Sequence, residues 1–207
     1  MRRAGNLAIW AAALGSLGCA GSPDAPGTPE ARGVPSRPRA MTESGLAENL
    51  APFVPTPMLV VRRMLELAAV TQDDGVYDLG CGDGRIVVEA AGRYGARAVG
   101  VDYDKRRCDE ALERARREGV ADLVEIRHED VLETDFSEAT VVTLYLLPDA
   151  NAQLKPRLAS LKPGARVVSH DFGIRGWKPV REETLVDRGL ENHTIFLYIV
   201  GEESAGR

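Results

Sequence analysis

Gly80, Gly82 and Gly84 alternate with Cys81 and Asp83 in the stretch "YDLGCGDGR", and Asp78 stands just ahead of them. Glycines let a backbone approach a ligand closely, and carboxylates beside them select its charge. A phosphate at this turn would meet repulsion from Asp78 and Asp83 that a helix N-terminus would have to overcome. A cation meets attraction instead.

Dinucleotides bind at such a turn through a fingerprint that needs a further glycine at a longer spacing. Arg85 occupies that position, so the fingerprint is not completed. A tight turn without a ligand is the plain alternative for this glycine pattern taken alone. Two more acids weigh against it: Asp102 closes "ARAVGVDYD" and Asp130 lies in "HEDV", each at the expected end of a strand. S-adenosylmethionine carries an ammonium and a sulfonium and no phosphate, and it matches three carboxylates at successive strand ends.

The elements that must position these residues alternate. "GVYDLG" and "ARAVGVDYD" read as strands, separated by a helix, "RIVVEAAGRYG", that Gly95 stops. "DKRRCDEALERARREG" reads as an amphipathic helix with Asp104 as its cap and Gly119 at its end. The alternation continues through "LVEIRHED", "ATVVTLYLL", a helix from about Ala150 to Leu161, and "GARVVSHDF". It predicts an α/β, doubly wound, mostly parallel seven-stranded sheet with its crevice at the carboxyl ends of the strands. "VREETLV" and "HTIFLYIV", joined by "DRGLEN", predict a C-terminal antiparallel hairpin. That hairpin is expected to support the sheet edge and to line the acceptor side only weakly.

The motif "DLGCGDGR" resembles the first motif of the class I, seven-strand S-adenosylmethionine-dependent methyltransferases. "VPTP", "DLGCGDGRIV", "TLYLLP", "LKPGARVVSHDF" and "WKP" are similar to a narrower group. Its mitochondrial members methylate lysines of the ATP synthase c-subunit and the adenine nucleotide translocase, and it has many short bacterial relatives. The likeness spans most of the folded chain. It implies that Asp78 and the backbone of Gly80, Cys81, Gly82, Asp83 and Gly84 hold the methionine part of S-adenosylmethionine. It also implies that Asp102, with Tyr103 beside it, accepts the ribose hydroxyls, and that Asp130 and Val131 meet the adenine.

Thr56, presented between Pro55 and Pro57, could reach the cofactor carboxylate, or the prolines could simply open a helix. Tyr145 in "TLYLLP" either faces the acceptor nitrogen, where its ring would attract an ammonium, or is a core tyrosine. His170, Asp171 and Trp177 are further candidates for lining, with His170 able to accept a proton or to make a structural hydrogen bond. Methyl transfer needs alignment and desolvation of a nucleophile, with no metal. A lysine acceptor, with an ordinary pKa of about 10.4, must first lose a proton. The resemblance implies protein-lysine N-methylation; methylation of a small molecule and a non-catalytic, envelope-tethered binding module are the rivals.

The chain's 207 residues, 44% hydrophobic and 28% charged, suit one soluble domain plus a short extension. A net charge of -5 gives no electrostatic footprint for nucleic acid. "MRR" followed by the apolar run to Leu17 has the form of an export signal, and "GSLGCAG" resembles a loose lipoprotein box with Cys19 as the lipidated residue. Residues 1–21 are thus expected to be signal-like, 22–41 a Pro/Gly/Ala-rich tether, 42–202 the methyltransferase domain and 203–207 a tail. A membrane or envelope location follows from that N-terminus, and a cytoplasmic one from the cofactor, which has no obvious pool outside the cytoplasm. Cys81 and Cys108 are read as small tolerated side chains.

Overall fold

The computed structural model describes residues 54–202. The signal-like run, the tether, Cys19 and the tail lie outside the described residues. Within them the order is α1 (Met58–Leu67), β1 (Gly75–Leu79), α2 (Arg85–Tyr94), β2 (Arg97–Asp102), α3 (Lys105–Arg117), β3 (Val124–His128), β4 (Val141–Leu144), α4 (Pro148–Leu158), β5 (Arg166–His170), β6 (Arg181–Val186) and β7 (Asn192–Ile199).

Neighbouring strands lie in the order β3-β2-β1-β4-β5-β7-β6. β1 to β5 pair in parallel, and β7 runs antiparallel to both β5 and β6. Winding reverses between β1 and β4, which creates a crevice at their carboxyl ends. β4, "VVTL", is buried along its whole length, as expected of a parallel strand covered on both faces. Its alternate residues feed opposite layers. Val141 packs with Val60, Met64 and Leu65 of α1 and Val87 of α2; Val142 and Leu144 pack with Leu154 and Leu158 of α4, Phe136 and Tyr198.

The helix boundaries follow local chemistry. Pro57 occupies the N-cap of α1, Gly95 ends α2 in the left-handed conformation, and Asp104 caps α3 by accepting from the Arg106 N–H at 2.9 Å. α4 begins earlier than its sequence pattern indicates, because Pro148 supplies a helical first position whose missing N–H costs nothing.

The expected hairpin is present, with one difference. β7 lies inside the sheet between β5 and β6, so of the hairpin's two strands only the exposed, charged β6 is an edge. β7 thereby brings its own side chains next to the end of β5.

Candidate active site

The glycine turn is shaped by two close approaches. Gly80 has φ +83, and a Cβ there would lie 2.9 Å from Leu146 Cδ2. Its N–H and that of Cys81 both donate to the Val101 carbonyl, at 2.8 and 2.9 Å, which fastens the turn to β2. Gly84 has φ +75, and a Cβ there would sit 2.7 Å from Ala111 Cβ. Gly84 therefore lets α2 start against α3. It is not among the residues that line the cavity.

The cavity at the ends of β1 and β4 gathers Thr56, Asp78, Gly80, Cys81, Gly82, Asp83, Asp102, Tyr103 and Tyr145. Arg85 joins them, as do Arg107 and Leu146, which the sequence had not singled out. Asp130 and Val131 do not. Asp130 lies in the turn after β3, where its Oδ1 accepts from the Leu132 N–H at 2.9 Å, and Val131 is buried in the second core layer. Trp177 also packs away from the cavity, edge-on to Tyr198 with ring centroids 5.6 Å apart.

Three acids at the turn have three different environments. Asp102 is oriented by the backbone: Oδ2 accepts from the Gly82 N–H at 2.8 Å and Oδ1 from the Asp104 N–H at 2.9 Å. Burial nevertheless raises its pKa. Asp78 is 2% exposed, with Oδ1 accepting from the Thr143 hydroxyl at 2.7 Å. Burial, aided by the charges of Asp102 and Asp83 against the opposing Thr143 bond, pushes it up to about 7.

Asp83 is spoken for already. Arg85 grips it at 2.9 and 2.6 Å, and Arg114 of α3 adds a bond at 2.6 Å. Burial raises its pKa, but these bonds and charges outweigh burial and hold it below the ordinary value. Its charge is thus compensated, and the attraction for a cation comes from Asp78 and Asp102. Arg85 also donates to the Thr56 carbonyl at 2.8 Å, joining the segment before α1 to the turn.

Cys81 and Cys108 are buried free thiols. Burial raises Cys81 well above its ordinary value and pushes Cys108 up to about 12, so both stay protonated and inert.

Behind the cavity wall, Thr56 and Tyr145 meet a second polar group. Thr56 Oγ1 lies 3.3 Å from His170 Nδ1. The Tyr145 hydroxyl donates to Asp171 Oδ2 at 3.3 Å, and its ring lies 3.9 Å from the His170 ring. Burial and Asp171 raise the Tyr145 pKa, so the phenol remains a neutral donor. His170 is fully buried, and its Nε2 lies 3.0 Å from Nδ1 of His193 on β7. Burial, opposed by Asp171 and reinforced by His193, pushes His170 down to about 4.

Neither His170 nor Asp171 lines the cavity; His170 touches Thr56 and Tyr145, and Asp171 touches Tyr145. His193 carries no motif in the sequence and joins them through strand pairing alone. Through His193 the hairpin reaches the residues behind the cavity wall. The ligand atoms of His170, Asp171 and His193 lie within 4.8 Å of one another, a spacing a metal ion could bridge. The two rings are hydrogen-bonded to each other through one nitrogen of each.

Residues 78–181 match the family described as the ANTKMT methyltransferase domain. A protein-lysine N-methyltransferase of Saccharolobus islandicus is 54% identical over 153 residues, covering 73% of this chain and 94% of that protein. The chain belongs to the ANTKMT methyltransferase domain family.

The Xenopus laevis lysine N-methyltransferase named for the ATP synthase c-subunit is 30% identical over 72% of this chain, which spans 64% of that protein. A solved structure described as an RNA methyltransferase from Salinibacter ruber, in complex with S-adenosyl-L-homocysteine, shares 52% identity at a TM-score of 0.67. It is covered over 95% of its length by 72% of this chain.

The cofactor of this ANTKMT-family enzyme is S-adenosylmethionine, and the cavity's donor set fits it. A buried carboxylate with a raised pKa would be stabilised in its charged form by a cationic partner, which the cofactor's charges would provide at Asp78. The backbone-oriented carboxylate of Asp102 keeps lone pairs for a diol. When bound, S-adenosylmethionine supplies an electrophilic methyl group on sulfur. The chain's part is to exclude water, align the acceptor and keep Asp78 and Asp102 in place.

Proposed function

We propose that this methyltransferase acts on the side-chain amine of lysine in a protein. The observation that carries the reading is Tyr145: its ring forms the cavity wall and its hydroxyl is tied to the Asp171 carboxylate. An aromatic face backed by an anion suits an ammonium, by about 0.5 to 2 kcal/mol for the aromatic part. The Saccharolobus relative, named for protein-lysine methylation, supports the same class of acceptor.

RNA is the second reading, favoured by the name of the Salinibacter structure. Against it stands the chain's net charge of -5, since a polyanion needs a basic surface. A small amine is a third acceptor class, and a non-catalytic binding module is the reading without turnover.

Methyl-labelled S-adenosylmethionine, incubated with the protein and cell extract, separates these readings. Label in protein that is lost with Asp102→Ala, and that mass spectrometry places on lysine, supports the proposal. Label confined to RNA or to low-molecular-weight material overturns it, as does no transfer by a protein that binds the cofactor.

We also propose, from the sequence alone, that the N-terminus attaches the domain to a membrane through Cys19. Among the described residues no helix is long and apolar enough to cross a membrane. Mass spectrometry of the membrane fraction tests this: Met1 retained and Cys19 without lipid would remove the proposal.

A further inference from the structure

Three polar atoms behind the cavity wall form a small triangle. His170 Nε2 lies 3.0 Å from His193 Nδ1 and 3.3 Å from Asp171 Oδ2, and His193 Nδ1 lies 3.7 Å from the same carboxylate oxygen. Tetrahedral zinc, with bonds of about 2.0 to 2.1 Å, keeps its ligands about 3.3 to 3.4 Å apart. The three edges bracket that spacing. The point in their plane equidistant from the three atoms is about 2 Å from each, so an ion slightly out of that plane reaches all three at bonding distance without moving any of them.

The far side of each ligand also has a counterpart. Asp171 Oδ1 accepts from the Thr194 N–H at 2.8 Å, which leaves Oδ2 to the two rings. Asp171 has φ +56, uncommon for a residue other than glycine, and its N–H donates to the Thr194 carbonyl at 2.7 Å. β7 thus fixes both the backbone and the carboxylate of Asp171. His170 Nδ1 lies 3.3 Å from Thr56 Oγ1. His193 Nε2 is buried without a hydrogen-bond partner, 3.6 Å from Oδ2 of Asp187 in the turn between β6 and β7. Ligating histidines ordinarily turn their second ring nitrogen toward such a carboxylate.

The geometry points to a binding site for one divalent first-row transition ion, zinc in the first place, with His170 Nε2, His193 Nδ1 and Asp171 Oδ2 as ligands. Two imidazoles and one carboxylate suit zinc and not magnesium or calcium, and three protein ligands leave a fourth position for water. The ion enters past Asp171, whose side chain is 25% exposed, since that of His170 is fully enclosed. A neutral ring bound through one nitrogen keeps its proton on the other, so His193 Nε2 then presents a proton to Asp187 and His170 Nδ1 one to Thr56. None of the three ligands lines the cavity. The ion therefore stays apart from the methyl group and pins the end of β5 to β7 behind Thr56 and Tyr145, which do line it.

Zinc titration of the full chain, first stripped with a chelator, tests the site at about pH 8, where free imidazole is neutral. We expect one ion per chain by calorimetry and a zinc-dependent rise in Tm. In nitrogen-labelled protein, zinc should shift the ring nitrogens of His170 and His193 and leave those of His128, on β3 beside the Tyr103 carbonyl, in place; magnesium should shift neither pair. Asp171→Asn and His193→Gln should each weaken zinc by at least about tenfold and lose the rise in Tm, whereas His128→Ala keeps both.

The spectra need no substitution, so a variant that does not fold leaves the test standing. A folded chain that takes up no zinc, zinc binding that leaves both rings unshifted, or a rise in Tm that survives His193→Gln overturns the inference; the last two mark zinc held elsewhere on the protein. Because none of these measurements needs methyl transfer, their outcome is independent of which acceptor the enzyme uses.

Discussion

The Thr143 hydroxyl donates to the Asp78 carboxylate at 2.7 Å, across paired positions of β4 and β1. One neutral donor is poor compensation for a fully buried charge, which is why the Asp78 pKa stands at about 7 against an ordinary 3.8.

A proton on Asp78 competes with a cationic ligand. Affinity for S-adenosylmethionine should therefore rise with pH and level off above about 7, with roughly tenfold tighter binding at about pH 8 than at about pH 6. Asp78→Asn should bind weakly and flatten that slope; calorimetry at the two pH values checks both.

The same group has an opposite effect on the protein without ligand. The folded state holds the Asp78 proton more tightly than the unfolded chain does, so Asp78 contributes stability below its ordinary pKa of 3.8. That contribution is lost as pH rises through the folded value of about 7. Cofactor should raise Tm more at about pH 8 than at about pH 6, in thermal scans with and without ligand.

Gly84→Ala places a methyl group 2.7 Å from Ala111 Cβ on a residue with φ +75. Overpacking and the left-handed conformation together should cost about 2 to 4 kcal/mol in urea unfolding. Because Gly84 does not line the cavity, cofactor affinity of the folded fraction should change by less than about threefold.

Asp83→Ala leaves Arg85 and Arg114 facing each other without their shared carboxylate. A loss of about 1 to 3 kcal/mol in stability is expected, since one member of a partly buried ion cluster is removed. Cofactor binding should fall much less than in Asp102→Ala, and comparison of the two variants by denaturation and titration measures the difference.

The legible parts of the molecule were those written locally. Gly80, Gly82 and Asp102 announce the cavity because each stands at the end of a short apolar strand, and the alternation of strands with helices orders the sheet. What Gly84 and Asp83 do was not legible, since both depend on α3 returning from a distant part of the chain to present Ala111 and Arg114. His193 was invisible for a related reason: only the antiparallel insertion of β7 beside β5, with His170 opposite Ile195, brings the two rings together. Asp130 is a further case, because its place at a strand end says nothing of the turn its side chain caps.

The most direct test is calorimetric titration of the full chain with S-adenosylmethionine, beside NAD and the Asp102→Ala variant. The cavity built by Asp78, Asp102 and the glycine turn predicts micromolar binding of S-adenosylmethionine, no binding of NAD, and loss of the heat in the variant. A folded protein that takes up no S-adenosylmethionine, or an Asp102→Ala variant that binds it as well as the parent, would contradict that assignment of the cavity.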